Sequence, residues 1–286
     1  MDLATIAGLL LAWGALVVSL IWEGGDPRAL VNLPAALLVF GGTLGAATIS
    51  FRLEQIRAIP EILRKVFATG DEDVPGTIAL LVSYAERARR EGLLCLDAEA
   101  DVARDPFLAR AIRLAVDGTD PEYIREILAT EIHFLQVRHK VGESMFTTMG
   151  GFAPTLGIIG TVMGLIHMLA NLSDPGKMGP LIAGAFIATL YGVSSANLLF
   201  LPIGNKLRAR TAEEVLVREV VVEGILAVQA GDNPRIVEDK LMAFLAPRLR
   251  DNLALLPALT AVHGTRVPEQ DRAARNPSAA ADRVAV

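Results

Sequence analysis

The sequence predicts an all-α integral membrane protein: four transmembrane helices in two hairpins, with a large helical cytoplasmic domain. Three observations predict it. First, no Asp, Glu, Lys or Arg occurs from Ser144 to Ser173 or from Met178 to Asn205, and only Asp174-Pro-Gly-Lys177 separates the two runs. Each run exceeds the ~20 apolar residues that a helix needs to cross the hydrocarbon of a bilayer. Second, Leu3–Trp22 and Ala29–Phe51 are also uncharged, with the turn-rich Glu23–Arg28 between them. Third, the chain is 52% hydrophobic but only 5% aromatic, too apolar for an ordinary soluble domain.

Five segments follow in order. Residues 1–51 form the first hairpin, 52–143 a cytoplasmic helical loop, 144–205 the second hairpin, 206–250 a cytoplasmic helical tail, and 251–286 a disordered tail without periodicity. The first span has no positive charge in its first seven residues and no small-residue cleavage site after its apolar core, so it reads as an uncleaved helix rather than a signal peptide. The second has Pro34 close to its start. In the loop, amphipathic helices are expected over Leu53–Phe67, from near Pro75 to about Glu91 with Gly92 as the stop, and over Leu94–Val102 and Pro106–Val116. Asp120-Pro121 opens a long helix that runs towards the third span. Lys206–Val228 and Pro234–Phe244 are the helices of the tail.

Charge sets the orientation. The two short connections carry Arg28 and Lys177, while the other 25 of the 27 Lys and Arg lie in 52–143 and after 205. The positive-inside rule then puts both termini and the large loop in the cytoplasm. Several functions are excluded. No basic tract suits nucleic acid. Cys95 is the single cysteine, so there is no intramolecular disulfide. No zinc spacing, phosphate loop, G-x-S-x-G or HExxH is present, and the four His residues have no ligand spacing. No metal, no organic cofactor and no catalytic residue is therefore expected, and the chain is not read as an enzyme.

The third and fourth spans carry the specific pattern. Pro154, Gly157, Thr161, Gly164 and Met168 share one helical stripe, and Gly160 pairs with Gly164 as GxxxG. On the fourth span Ala185, Thr189, Gly192 and Ala196 do the same, with Gly184 and Ala188 beside them; Gly41 and Gly45 repeat the spacing on the second. Small residues let helix backbones approach closely in lipid, so helix packing is the reading for Gly157, Gly160, Gly164, Gly184 and Gly192. Thr161 and Thr189 either bond back to their own i−4 carbonyls or line a hydrated path. Pro154 removes a backbone donor and bends the third span, as a static bend or a hinge. Asn197 is polar inside the fourth span, and Pro202 marks its inner end. No carboxylate lies in any span. An ion path needs an ionisable group at membrane depth, so a partner would have to supply it, and charge-free glycine faces suit a sheath around that partner's helix. In the loop, Glu86, Arg87, Arg89, Arg90 and Glu91 form a charge run, either a solvated helix face or a partner surface.

The stretch Ala153-Pro-Thr-Leu-Gly-Ile-Ile-Gly-Thr-Val-Met-Gly-Leu-Ile166 resembles the third-span signature of the MotA/TolQ/ExbB superfamily. Leu38–Gly45, Ala88–Asp97, Asn197–Lys206 and Gly231–Glu238 narrow the resemblance to the flagellar-motor stator A subunit, MotA/PomA, over residues 1 to about 250. The resemblance implies a homopentamer of A subunits around two copies of a B subunit (MotB/PomB-like) that carries the ion-accepting aspartate. It implies a proton or sodium flux that turns the ring, and a contact with the rotor protein FliG, all in the bacterial inner membrane. By motif the ion-path threonines fall on Thr161 and Thr189, the conformational prolines on Pro154 and Pro202, and the rotor-contact charges on Arg89 and Asp97, where the family often has Glu. Two other functions compete. An ExbB/TolQ-type energy-transducing subunit has one span ahead of its soluble region, whereas two are present here; a membrane scaffold without ion flux is the other.

Overall fold

The computed structural model describes residues 2–67 and 73–247. They are overwhelmingly helical, with no strand among them. The helices are α1 Leu3–Trp22, α2 Leu33–Ser50, α3 Leu53–Arg57, α4 Ile59–Phe67, α5 Val74–Glu91, α6 Asp97–Val102, α7 Pro106–Val116, α8 Pro121–Ala170, α9 Pro175–Gln229 and α10 Pro234–Met242. Helices α1, α2, α8 and α9 are long and apolar enough to cross a membrane. The chain divides into two compact units: the described residues up to 67 with Ala129–Val215, and Asp73–Leu128 with the described residues from Leu216 on. Each is discontinuous in sequence, because α8 and α9 supply residues to both.

In the first unit, Asp2 caps α1 by accepting the Ala4 and Thr5 N–H groups at 3.1 and 3.4 Å. No residue of α1 is buried. Its helicity follows from the need of a backbone in lipid to satisfy its own polar groups, not from packing. The second span starts at Leu33 rather than near Ala29. Pro27–Leu30 forms a 3₁₀ turn capped by Asp26, and Asn32 with Pro34 begins the helix proper. Leu53–Phe67 is broken at Ala58, because Pro60 can only sit in the first turn of a new helix. Val39, Ala47, Val66, Met145, Phe146, Met149, Ala153, Ala196, Phe200 and Ile203 form the core of this unit.

The second unit is built from shorter amphipathic helices. Asp73 caps α5 through the Gly76 N–H at 3.0 Å, and Gly92 ends it at φ +87°, a conformation that only glycine adopts freely. Leu94–Val102 is not one helix: Leu93–Leu96 makes a 3₁₀ turn before α6. Asp105 caps α7 through the Phe107 N–H at 2.9 Å. Ile78, Leu81, Leu96, Phe107, Ile112, Ile124, Leu128, Ile225 and Leu241 are almost fully buried, each contributing about 1.5–3 kcal/mol by leaving water. Residues 206–228 are helical as expected, and they continue the fourth span, since α9 runs from Pro175 to Gln229. The last helix ends at Met242, two residues before the expected Phe244. The expected disordered tail, 251–286, lies outside the described residues.

Candidate functional site

Gly157 is where the third and fourth spans touch. A Cβ on Gly157 would lie 2.9 Å from the Ala188 carbonyl oxygen and 3.1 Å from Thr189 Cα, and one on Gly192 only 2.5 Å from the Ala153 carbonyl oxygen. Gly160 and Gly164 face the Ala188 and Ala185 methyls at 2.5 and 2.6 Å by the same measure, and Gly184 faces Asn32 Nδ2 at 3.1 Å. The two helices meet backbone to backbone, which a single methyl group on either side would prevent.

This proximity brings Thr161 and Thr189 together. Their hydroxyls are hydrogen-bonded to each other. The Thr161 hydroxyl also reaches its own i−4 carbonyl at Gly157, 3.2 Å away, and the Ala185 carbonyl across the interface at 3.1 Å; the Thr189 hydroxyl reaches the Gly157 carbonyl at 3.3 Å. The back-bond and the inter-helix contact are thus both within reach. Two O–H protons are shared among four contacts: Thr161 with the Gly157 and Ala185 carbonyls, Thr189 with the Gly157 carbonyl, and the hydroxyls with each other. Lone pairs remain on both hydroxyl oxygens, able to accept from water or face a cation. Both residues are half-buried.

The two prolines flank the same interface. Helix α8 continues through Pro154, whose missing N–H leaves the Gly150 carbonyl without its usual partner. Gly150 in turn lies under Leu201, whose Cδ2 would be 2.7 Å from a Cβ there. Leu201 precedes Pro202, and its N–H bonds five residues back to the Ala196 carbonyl, closing a wide π turn over Ala196–Phe200. Such turns mark places where a helix is locally re-registered. The Asn197 amide donates to Val193 O at 2.9 Å, and Pro202 is exposed. Beside them, Gly8, Leu9, Asn197, Pro202 and Lys206 line a cavity of about 330 Å³.

Just beyond this end of the fourth span, charges pair across helices. Asp2 receives Lys206 at 2.6 Å and Arg210 at 3.4 Å, and its carboxyl is held below the usual range, chiefly by the Lys206 hydrogen bond. Arg208 clasps Glu143, its Nε 2.7 Å from Oε1, which pushes the guanidinium pKa up. None of these pairs was singled out from sequence, because partners up to 208 residues apart share no motif. Tyr191 was missed as well. The signal was there: a phenol inside a charge-free run needs a hydrogen-bond partner.

In the second unit, Arg89 and Asp97 are both exposed, on either side of the Gly92 turn. Arg89 and Arg90 sit in the last turn of α5, and Asp97 and Glu99 in the first turn of α6, the ends at which the helix dipole favours each sign. Behind them Arg87 is paired with Glu99 and its pKa is raised by that hydrogen bond. Burial, then Glu99, pushes Tyr84 up to about 12. The charge run is therefore divided: Arg87 is paired with Glu99, while Arg89 is exposed, as is Asp97 beyond the Gly92 turn. No cluster of metal-ligating side chains occurs among the described residues.

The profile of the MotA/TolQ/ExbB proton channel family matches residues 99–220. The chain is 40% identical over 253 residues to motility protein A of Borreliella burgdorferi, covering 88% of this chain and 97% of that one. It is 37% identical over 251 residues to motility protein A of Bacillus subtilis, covering 87% and 93%. Its fold is similar to the flagellar MotAB stator complex structure from Bacillus subtilis, with a TM-score of 0.83, 36% identity, and coverage of 87% of this chain and 98% of that one.

Proposed function

The chain belongs to the motility protein A family of flagellar-motor stator subunits, and from that premise we propose that five copies surround two helices of a MotB-like B subunit. The A subunits form the smooth wall of the ion path, and the B subunit brings the carboxylate. Proton or sodium flux then turns the ring in the inner membrane, with both termini and the loop in the cytoplasm, and the exposed Arg89 and Asp97 engage the rotor protein FliG. The chain converts energy without catalysing a covalent reaction.

One observation carries this reading. The hydroxyls of Thr161 and Thr189 meet within the two charge-free runs, Ser144–Ser173 and Met178–Asn205, which have no carboxylate of their own. A polar spot of that kind can hand an ion along but cannot store its charge, so an acid must come from outside the chain. One charge crossing ~100 mV supplies only ~2.3 kcal/mol. Each step is therefore a small shift of nearly balanced contacts, which glycine-lined interfaces permit. The two spans ahead of the loop and the near-complete coverage of motility protein A relatives support this reading over an ExbB/TolQ-type unit.

The test is reconstitution. Liposomes holding the chain alone should be ion-tight, and liposomes holding it with its B subunit should conduct. Flux through the chain alone would overturn the proposal. Swimming speed against sodium concentration, with a proton ionophore as control, identifies the coupling ion.

A further inference from the structure

Tyr191 follows Thr189 by two residues, and its hydroxyl is bonded twice to the segment that joins α1 to α2. It donates to the Leu30 carbonyl and accepts the Asn32 N–H at 3.2 Å. Its ring packs against Phe40, with centroids 6.2 Å apart. Asn32 is itself the cap of α2, taking the Ala35 N–H at 3.0 Å.

The irregular backbone explains the need for a phenol here. Leu30–Asn32 is not α-helical, so its N–H and C=O groups lack helix partners and need others. Tyr191 supplies both a donor and an acceptor, and Gly184 faces the Asn32 side chain from the same helix.

The tether leads to the threonine pair. Gly184, Ala188 and Tyr191 share one face of α9. Ala188 Cβ and Leu38 Cδ2 both crowd the position a Cβ on Gly160 would take, at 2.5 and 3.0 Å. Helices α2, α8 and α9 therefore meet beside Gly160, the neighbour of Thr161. The tether that seats the start of α2 also braces α9 at the height of Thr189.

We propose that Tyr191 is a positioning residue for the ion path: its hydroxyl anchors the Leu30–Asn32 backbone and so keeps Thr189 in register with Gly157. This rests on the reading of Thr161 and Thr189 as ion-path residues. Tyr191→Phe keeps the ring and removes both hydrogen bonds.

Two measurements test it. In a Cys95→Ser background, a cysteine placed by Ala35→Cys, a position only 6% exposed whose N–H is held by Asn32, is labelled in membranes with N-ethylmaleimide. Tyr191→Phe should raise the labelling rate roughly tenfold, the change in opening expected when the tether's hydrogen bonds are lost. An unchanged rate would overturn the tether whether or not the variant swims. The second is a double-mutant cycle on motor speed. Tyr191→Phe should slow the motor at normal protein level, yet add nothing in a Thr189→Val background. Full additivity, or wild-type speed in Tyr191→Phe, would overturn the positioning role. Wild-type speed in Thr189→Val alone would instead sink the ion-path reading, and the labelling then decides the tether by itself.

Discussion

Adding one methyl group at Gly157 tests the packing on which the threonine pair depends. In Gly157→Ala the new Cβ meets Ala188 O at 2.9 Å, Thr189 Cα at 3.1 Å and Gly192 Cα at 3.3 Å. All three are helix backbone, so no side chain can rotate away. Carbon contacts relax at about 3.5–4.0 Å, so the spans must part by about 0.5 Å. That shift carries the 3.1 Å bond from Thr161 to Ala185 and the 3.3 Å bond from Thr189 to Gly157 to about 3.6–3.8 Å, where neither is a hydrogen bond. Overpacking of this kind costs about 1–3 kcal/mol. At about 2–4 °C per kcal/mol, the midpoint of thermal unfolding in detergent should fall by roughly 2–12 °C, and swimming should slow. Gly45→Ala is the control: a Cβ there meets nothing within 4 Å, and alanine is the better helix former by up to about 1 kcal/mol. Wild-type melting and speed in Gly157→Ala, or equal damage from Gly45→Ala, would refute the reasoning.

Thr161→Val and Thr189→Val keep volume and remove a hydroxyl; both should assemble with the B subunit and lower motor speed, and unchanged swimming under load would count against the ion path. Pro154→Ala restores the N–H that the Gly150 carbonyl lacks, so torque should weaken while immunoblots show normal membrane levels. Charge reversal at the exposed Arg89 should impair motility and be partly rescued by a reversal on the rotor, because such charges mainly align two surfaces; normal torque in a combined Arg89 and Asp97 reversal would argue against the contact. The Tyr84 phenol titrates near 12 instead of 10.0. The fold favours its neutral form, so this stabilisation is intact below pH 10 and is lost as pH rises from 10 to 12, by about 2–3 kcal/mol. Circular dichroism should show an alkaline loss of stability that Tyr84→Phe removes; an identical loss in both proteins would assign it elsewhere.

Much of the architecture was legible because lipid imposes simple demands. A helix that crosses hydrocarbon must be long, apolar and internally hydrogen-bonded, so Leu3–Trp22 was readable to the residue. Starts and stops such as Pro106 opening Pro106–Val116, and Gly92 after α5, are local chemistry and were equally readable, whereas the Asp105 cap was not read. The glycine and threonine stripes showed which faces of the third and fourth spans are small. They did not show that Thr161 would reach both its own turn and the opposite helix, since that depends on the backbone approach at Gly157.

Boundaries failed where competing local signals needed tertiary context. Pro27–Leu30 has helical composition, yet turns tightly because Asp26 caps it and Asn32 restarts the chain. Continuity of α9 from the fourth span to Gln229 was hidden behind Pro202 and the charges at Lys206, which read as a break. By itself, then, the sequence determined the number of spans, the faces that could pack and the absence of an acid in the membrane, because periodicity, length and charge are properties of short stretches. Only the tertiary structure decided which distant groups meet: Tyr191 with Leu30 and Asn32, Asp2 with Lys206 and Arg210, Glu143 with Arg208. Those contacts join residues 65 to 208 positions apart, and no local pattern records a hydrogen bond whose two ends are brought together by packing.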